Sequence, residues 1–149
     1  MKSAFARSNS EKERFTLNCM KKVTAAILVK DGKILIARRR AGDHQADKWE
    51  FPGGTVKQNE TAQACLKREM HEEFGIRVSV GRIFGESIYH YDYGSIKLLA
   101  YLACLESGKP APKVHSEFRW VSTDQLSEYD FAPADIPFME KLQNQEIEI

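Results

Sequence analysis

Three carboxylates, Glu69, Glu72 and Glu73, fall at i, i+3 and i+4 in the segment Arg68-Glu69-Met70-His71-Glu72-Glu73-Phe74-Gly75. On a helix, at about 100° per residue, they share one sector of the surface. That sector adjoins an apolar stripe of Ala62, Leu66 and Met70, which sets the acids at the margin of a buried face; Gln63, Lys67 and His71 take the opposite side. Neither Glu69 nor Glu73 has a basic residue four positions away inside the helix. Each has the other, a like-charge pair that costs a few tenths of a kcal/mol, about 0.2–0.5. Glu72 and Glu73 also lie in the last turn before the stop signal Gly75, where the helix dipole disfavours anions by about 0.3–1 kcal/mol. The plain alternative is a solvated helix with scattered charge. A helix made locally worse in this way instead calls for a compensating partner, and a hard divalent cation supplies one, because Mg²⁺ takes oxygen ligands and works beside substrate phosphates.

The wider spacing is more specific. Gly54, five residues, Glu60, seven residues, Arg68-Glu69, then Glu72-Glu73, Gly75 and the apolar Ile76 resemble, position for position, the box of the Nudix hydrolase family. The resemblance implies a loop, helix and loop holding one to three Mg²⁺ or Mn²⁺ ions against a diphosphate. It implies that Glu69, Glu72 and Glu73 bind metal and that Gly53 offers a backbone carbonyl to it. Arg68 and Glu60 would form an ion pair fixing the helix.

The stretch from Ile36 to Gly54 resembles the MutT-like branch of that family without a gap. By that resemblance Arg39 and His44 contact the nucleotide at its phosphate or sugar end, and Glu50, Phe51, Pro52 and Gly53 line the pocket. Arg38 to Arg40 alone would read as a self-solvating basic loop. Beside an acidic metal helix, guanidinium groups that clamp a polyphosphate make chemical sense. Trp49 and Phe51 alternate on one strand, with one expected in the core and the other free to stack on a base. In the segment His115-Ser116-Glu117-Phe118-Arg119-Trp120-Val121, Glu117 stands where related enzymes carry a further acid, and is the candidate extra ligand or general base alongside Glu72. An arginine of the branch's pocket is replaced here by Tyr93-Gly94-Ser95. The segment Phe131-Ala132-Pro133-Ala134-Asp135-Ile136-Pro137 resembles the branch's base-reading loop, with Asp135 the base reader; alternatively Asp135 caps the last helix, with Pro137 in its first turn.

The elements that must position these residues follow from pattern. Val23–Val29 is an apolar β-branched run, and Asp31-Gly32 turns it into Ile34–Ala37. Asn59 is a plausible cap for a helix over Glu60–Phe74. Arg77–Val80, Ile83–Tyr91 and Ile96–Leu105 read as strands, Glu117–Val121 as a short strand, Thr123–Ser127 as a helical turn and Ile136–Gln143 as an amphipathic helix. Strands around a central helix with a second helix at the end predict an α/β fold with a mixed sheet covered on both faces. That is the α/β/α sandwich the resemblance implies, with the box helix on one face. The boundaries expected are a flexible tail over residues 1–18 and one domain over residues 19–149.

The 149 residues and net charge of +1 suit a single core and give no support for a nucleic-acid polymer or a membrane as partner. Cys19, Cys65 and Cys104, odd in number and widely spaced, are expected to be reduced thiols. With no apolar run of spanning length or secretory h-region, a cytoplasmic protein is expected, as monomer or homodimer. The implied activity is metal-dependent hydrolysis of a nucleoside triphosphate, such as an oxidised guanosine triphosphate, to monophosphate and pyrophosphate. CTP, ADP-ribose or a dinucleoside polyphosphate are the rival substrates. A catalytically silent nucleotide sensor is the rival of another class.

Overall fold

The computed structural model describes residues 20–144; the expected tail over residues 1–18 and Cys19 lie outside them. The elements are β1 (Lys21–Lys30), β2 (Lys33–Arg38), β3 (Trp49–Glu50), α1 (Ala62–Phe74), β4 (Arg77–Tyr91), β5 (Gly94–Ser107), β6 (Glu117–Val121), 3₁₀ turns over Thr123–Glu128 and Pro133–Asp135, and α2 (Ile136–Gln143). The strands form one mixed sheet in the order β3-β2-β1-β5-β4, with β6 also paired to β2. β1 runs parallel to β5 over Lys21↔Ile96 to Val29↔Cys104, and its other neighbour, β2, is antiparallel.

The apolar run of β1 is continuous because both faces of the sheet are covered. Ala25, Ile27, Ile34 and Ile36 face the layer of α2, where Phe84, Phe138 and Leu142 pack. Ala26, Leu28 and Leu35 face α1 through Leu66, Met70 and Phe74. This is the predicted α/β/α arrangement. Asp31 and Gly32 both take positive φ in the β1–β2 hairpin, as the two central residues of such a turn require.

Two boundaries differ from the sequence reading. α1 starts at Ala62, not Glu60, because Thr61 is the cap: its Oγ1 accepts the Ala64 N–H at 3.1 Å. Asn59 serves the preceding turn with a φ of 64°, the other habit of asparagine. The two strands expected at Arg77–Val80 and Ile83–Tyr91 are one strand, β4. Register shifts between Val80 and Ile83 and between Ile83 and Gly85 take up the misfit against β5 as bulges.

The C-terminal end of α1 is tied down by the segment before β6. Ala111 N–H donates to the Phe74 carbonyl (3.0 Å) and Lys113 N–H to that of Glu73 (2.9 Å), satisfying groups a helix end leaves open. Gly75 closes the helix at φ 71°, the left-handed conformation expected there. Among the described residues, no helix is long and apolar enough to cross a membrane.

Candidate active site

The segment Glu50–Thr55 runs beside β1, with the Pro52 and Gly54 carbonyls accepting from Ala26 N–H (2.7 Å) and Thr24 N–H (2.8 Å). In an extended chain alternate carbonyls point opposite ways, so the Gly53 carbonyl points away from β1, and Gly53 lines a cleft of about 710 Å³. Glycine is needed twice here. A Cβ on Gly53 would meet the Thr24 carbonyl oxygen at 1.9 Å, and one on Gly54 would meet the Glu69 carboxyl carbon at 2.3 Å. The loop therefore lies flat against both the sheet and the acidic helix.

Arg68 is the hub of that helix. Its Nε donates to Glu60 Oε2 (2.7 Å) and its Nη2 to Glu60 Oε1 (2.9 Å), a two-pronged pair. Nη1 reaches Glu69 Oε1 (2.8 Å) and Glu72 Oε2 (3.1 Å). The Arg68 contacts, followed by the Lys57 N–H, hold Glu60 down to about 2. The predicted Arg68–Glu60 contact is thus present, and Arg68 also gathers two of the three candidate ligands.

Glu69 and Glu73 line the cleft, whereas the Glu72 side chain is 53 % exposed and points to Arg68. Glu73 stands out: its Oε2 is buried with no hydrogen-bond partner. Burial, then the charges of Glu50 and Glu69, push its carboxyl up to about 9. A buried acid without a partner is costly. A hard cation beside Glu69, Glu73 and the Gly53 carbonyl relieves that cost, so these oxygens fit Mg²⁺ or Mn²⁺. Among the described residues no three acidic, His or Cys side chains are already drawn together as a metal cage. Arg68 instead contacts both Glu69 and Glu72.

The same cleft holds a partly buried charge network. Arg39 Nη1 donates to Glu50 Oε1 at 2.8 Å, and His115 Nε2 contacts Glu50 Oε2 at 2.8 Å. Burial alone would raise Glu50, but the His115 hydrogen bond and the Arg39 charge outweigh it and hold the carboxylate below its ordinary range. Burial likewise works against charge on Arg39, and Glu50 overcomes it, leaving the guanidinium more firmly protonated than usual. Arg39 also donates from Nε to the His44 carbonyl. The His44 ring stacks on Tyr93 with centroids 3.8 Å apart. Arg39, His44, Glu50 and Phe51 all line the cleft, as expected; Pro52 is fully buried and does not.

At the far end sits Asp135, 5 % exposed. Its side chain makes no cap hydrogen bond to α2, which removes the capping alternative. Instead Asp135 Oδ1 accepts the Phe51 N–H at 3.0 Å across the cleft. Burial, with the Glu50 charge behind it, raises its carboxyl well above the ordinary range.

One expectation needs correction. Glu117 does not reach the cleft: it lies on β6 opposite Arg38 of β2 and pairs with Arg38 (3.4 Å) and Arg119 (3.6 Å). Of Trp49 and Phe51, only Phe51 also lines the cleft. Residues i and i+2 share a face, and both are buried in one cluster, with Phe51 against Phe131 at 5.1 Å. Sequence reasoning passed over His115, 5 % exposed and stacked on Phe74 at 5.3 Å. It also passed over Tyr91, whose hydroxyl accepts the Ala134 N–H at 3.0 Å. The alternation Tyr89, Tyr91, Tyr93 was the available signal for the latter.

Comparison with known proteins agrees with this architecture. The family described as NUDIX domain matches residues 20–142. A CTP pyrophosphohydrolase of Escherichia coli is 38% identical over 121 residues, covering 81% of this chain and 90% of that protein. An 8-oxo-dGTP diphosphatase of the same organism is 34% identical over 126 residues, covering 83% of this chain and 98% of that protein. The solution structure of a MutT protein from methicillin-resistant Staphylococcus aureus superposes with a TM-score of 0.69 at 35% identity, covering 85% of this chain and 97% of that one. Domain match, two-faced mixed sheet and acidic helix converge: the chain belongs to the Nudix family of hydrolases.

Proposed function

We propose that this protein hydrolyses a nucleoside triphosphate of the oxidised-guanosine or cytidine class to the monophosphate and pyrophosphate, using Mg²⁺ or Mn²⁺. The observation that carries this reading is the buried, unpartnered Oε2 of Glu73 in a cleft that Glu69, Gly53, the half-buried Arg39 and the buried Asp135 also line. Glu69, Glu73 and the Gly53 carbonyl would hold the metal, with Glu72 able to join them. When bound, the ion neutralises polyphosphate charge and acidifies a water.

The chain's own residues do the rest. Arg68, anchored by Glu60, fixes Glu69 and Glu72 on the helix. Arg39, kept cationic by Glu50, meets the developing charge on the phosphate oxygens. His115 holds Glu50 in that role. Glu72, the most exposed of the three acids, accepts the proton of the attacking water. Asp135 faces the base, and His44 closes the side of the cleft near the sugar. The relatives named as an 8-oxo-dGTP diphosphatase and a CTP pyrophosphohydrolase support this substrate class. The protein acts in the cytoplasm as monomer or homodimer, on a small nucleotide.

The test is a panel of normal and oxidised triphosphates, ADP-ribose and a dinucleoside polyphosphate, assayed with Mg²⁺ and Mn²⁺. The highest kcat/KM is expected for 8-oxo-dGTP or CTP. A preference of about tenfold or more for ADP-ribose or the dinucleoside polyphosphate would replace this reading with the rival one.

A further inference from the structure

We infer that Tyr91 is a specificity-determining positioning residue: its hydroxyl takes the Ala134 amide and so sets the attitude of Asp135 toward the base. The inference rests on the reading above, in which Asp135 faces the base.

The 3₁₀ turn Pro133–Asp135 leads straight into α2, and the first amides of such a segment have no partner within it. Neither Ala132, before the turn, nor Asp135, before α2, supplies a side-chain cap. The Asp135 N–H returns to the Ala132 carbonyl at 2.9 Å. That leaves the amide of Ala134, a residue 1 % exposed, and it is met by Tyr91 from 43 residues away, at 3.0 Å. The cap of this base-facing loop is therefore borrowed from β4.

The ring that lends it is held in place. Tyr91 stacks on Tyr93 with centroids 5.0 Å apart and planes 7° from parallel. Tyr93 in turn stacks on His44. The Asp135 carboxyl is pinned at one oxygen by the Phe51 N–H, and its backbone is pinned one residue earlier by Tyr91. Two constraints on adjacent residues fix where the second carboxyl oxygen points. Tyr91 also lines the cleft beside Ala134 and Asp135.

Tyr91→Phe keeps the ring and its stack and removes only the hydroxyl that accepts the Ala134 N–H. The experiment compares wild type, Tyr91→Phe, Asp135→Asn and the double variant, each checked by thermal melting, for kcat/KM across CTP, UTP, dGTP and 8-oxo-dGTP. Both single variants are expected to change the ranking of bases, Tyr91→Phe by about fivefold or more. In the Asp135→Asn background the Tyr91 change is expected to move the ranking far less, because it acts through that residue. If Asp135→Asn reorders the bases while Tyr91→Phe lowers every kcat/KM by one factor, Tyr91 is merely structural; the inference falls and the base-reading role of Asp135 stands. If neither variant reorders them, both fall. Amide exchange of the unaltered protein gives an independent reading. A protected Ala134 N–H is expected, and exchange at the rate of an open amide overturns the inference without any variant.

Discussion

At the scale of single residues, the account turns on which glutamates touch the cleft. Glu73→Gln is expected to lower turnover by about a hundredfold or more, because it removes a proposed metal oxygen while keeping size and helix propensity. The same change also alters pH-dependent stability. Folded and metal-free, Glu73 keeps its proton from its ordinary value of 4.5 up to about 9, whereas the unfolded chain has given it up. Stability is therefore lost as pH rises through that window, by at most about 1.4 kcal/mol per pH unit. Glu73→Gln removes this loss, so its melting temperature without metal is expected to exceed wild type by a margin that widens from about pH 5 to about pH 8. A constant margin contradicts the assignment. Glu117→Gln, out on β6, is expected to keep kcat/KM within about threefold; a loss of about a hundredfold would return Glu117 to the site. The closeness of Arg68 to Glu69 and Glu72 was legible because it follows from spacing along one helix. The position of Glu117 depends on the β2–β6 register, and the roles of His115 and Tyr91 on contacts with Glu50 and Ala134. Such pairings across strands and loops have no local signature.

At the scale of elements, the loop from Phe51 to Glu60 and the helix α1 act as one body. Arg68→Ala is expected to lower both melting temperature and kcat, since Glu60 loses both prongs of its partner and Glu69 loses a third contact. A variant with normal melting and normal kinetics would show that the pair fixes nothing. Two further changes separate helix stability from loop fit. Thr61→Ala removes the cap and is expected to cost about 1 kcal/mol. Gly53→Ala drives a methyl into the Thr24 carbonyl oxygen and is expected to cost more than about 2 kcal/mol, with the cleft displaced. Equal melting of these two variants would place the Gly53 backbone wrongly. The helix itself could be foreseen from its apolar stripe and Gly75. Its start was misplaced because Asn59 and Thr61 are both good capping residues, and only the Ala64 contact decides between them.

At the scale of the molecule, the sheet brings together groups far apart in sequence. β1 beside β5 carries the floor of the cleft, the Glu50–Thr55 segment and α1 form one wall, and the turn before α2 closes the end. That a mixed sheet is covered on both faces was visible in the order of elements, strands around a central helix with a second helix at the end. The cleft was not visible, because it exists only where these elements meet. Because the acidic wall is strained without a cation, Mg²⁺ or Mn²⁺ is expected to raise the melting temperature of wild type by mass action and that of Glu73→Gln much less. The central claim is that this cleft breaks a triphosphate so as to release pyrophosphate. Its most direct test is product analysis on 8-oxo-dGTP and CTP with Mg²⁺, with and without a chelator. Monophosphate and pyrophosphate in equal amounts, abolished by the chelator, are the predicted result. Diphosphate with orthophosphate, or undiminished turnover with the metal removed, would contradict it.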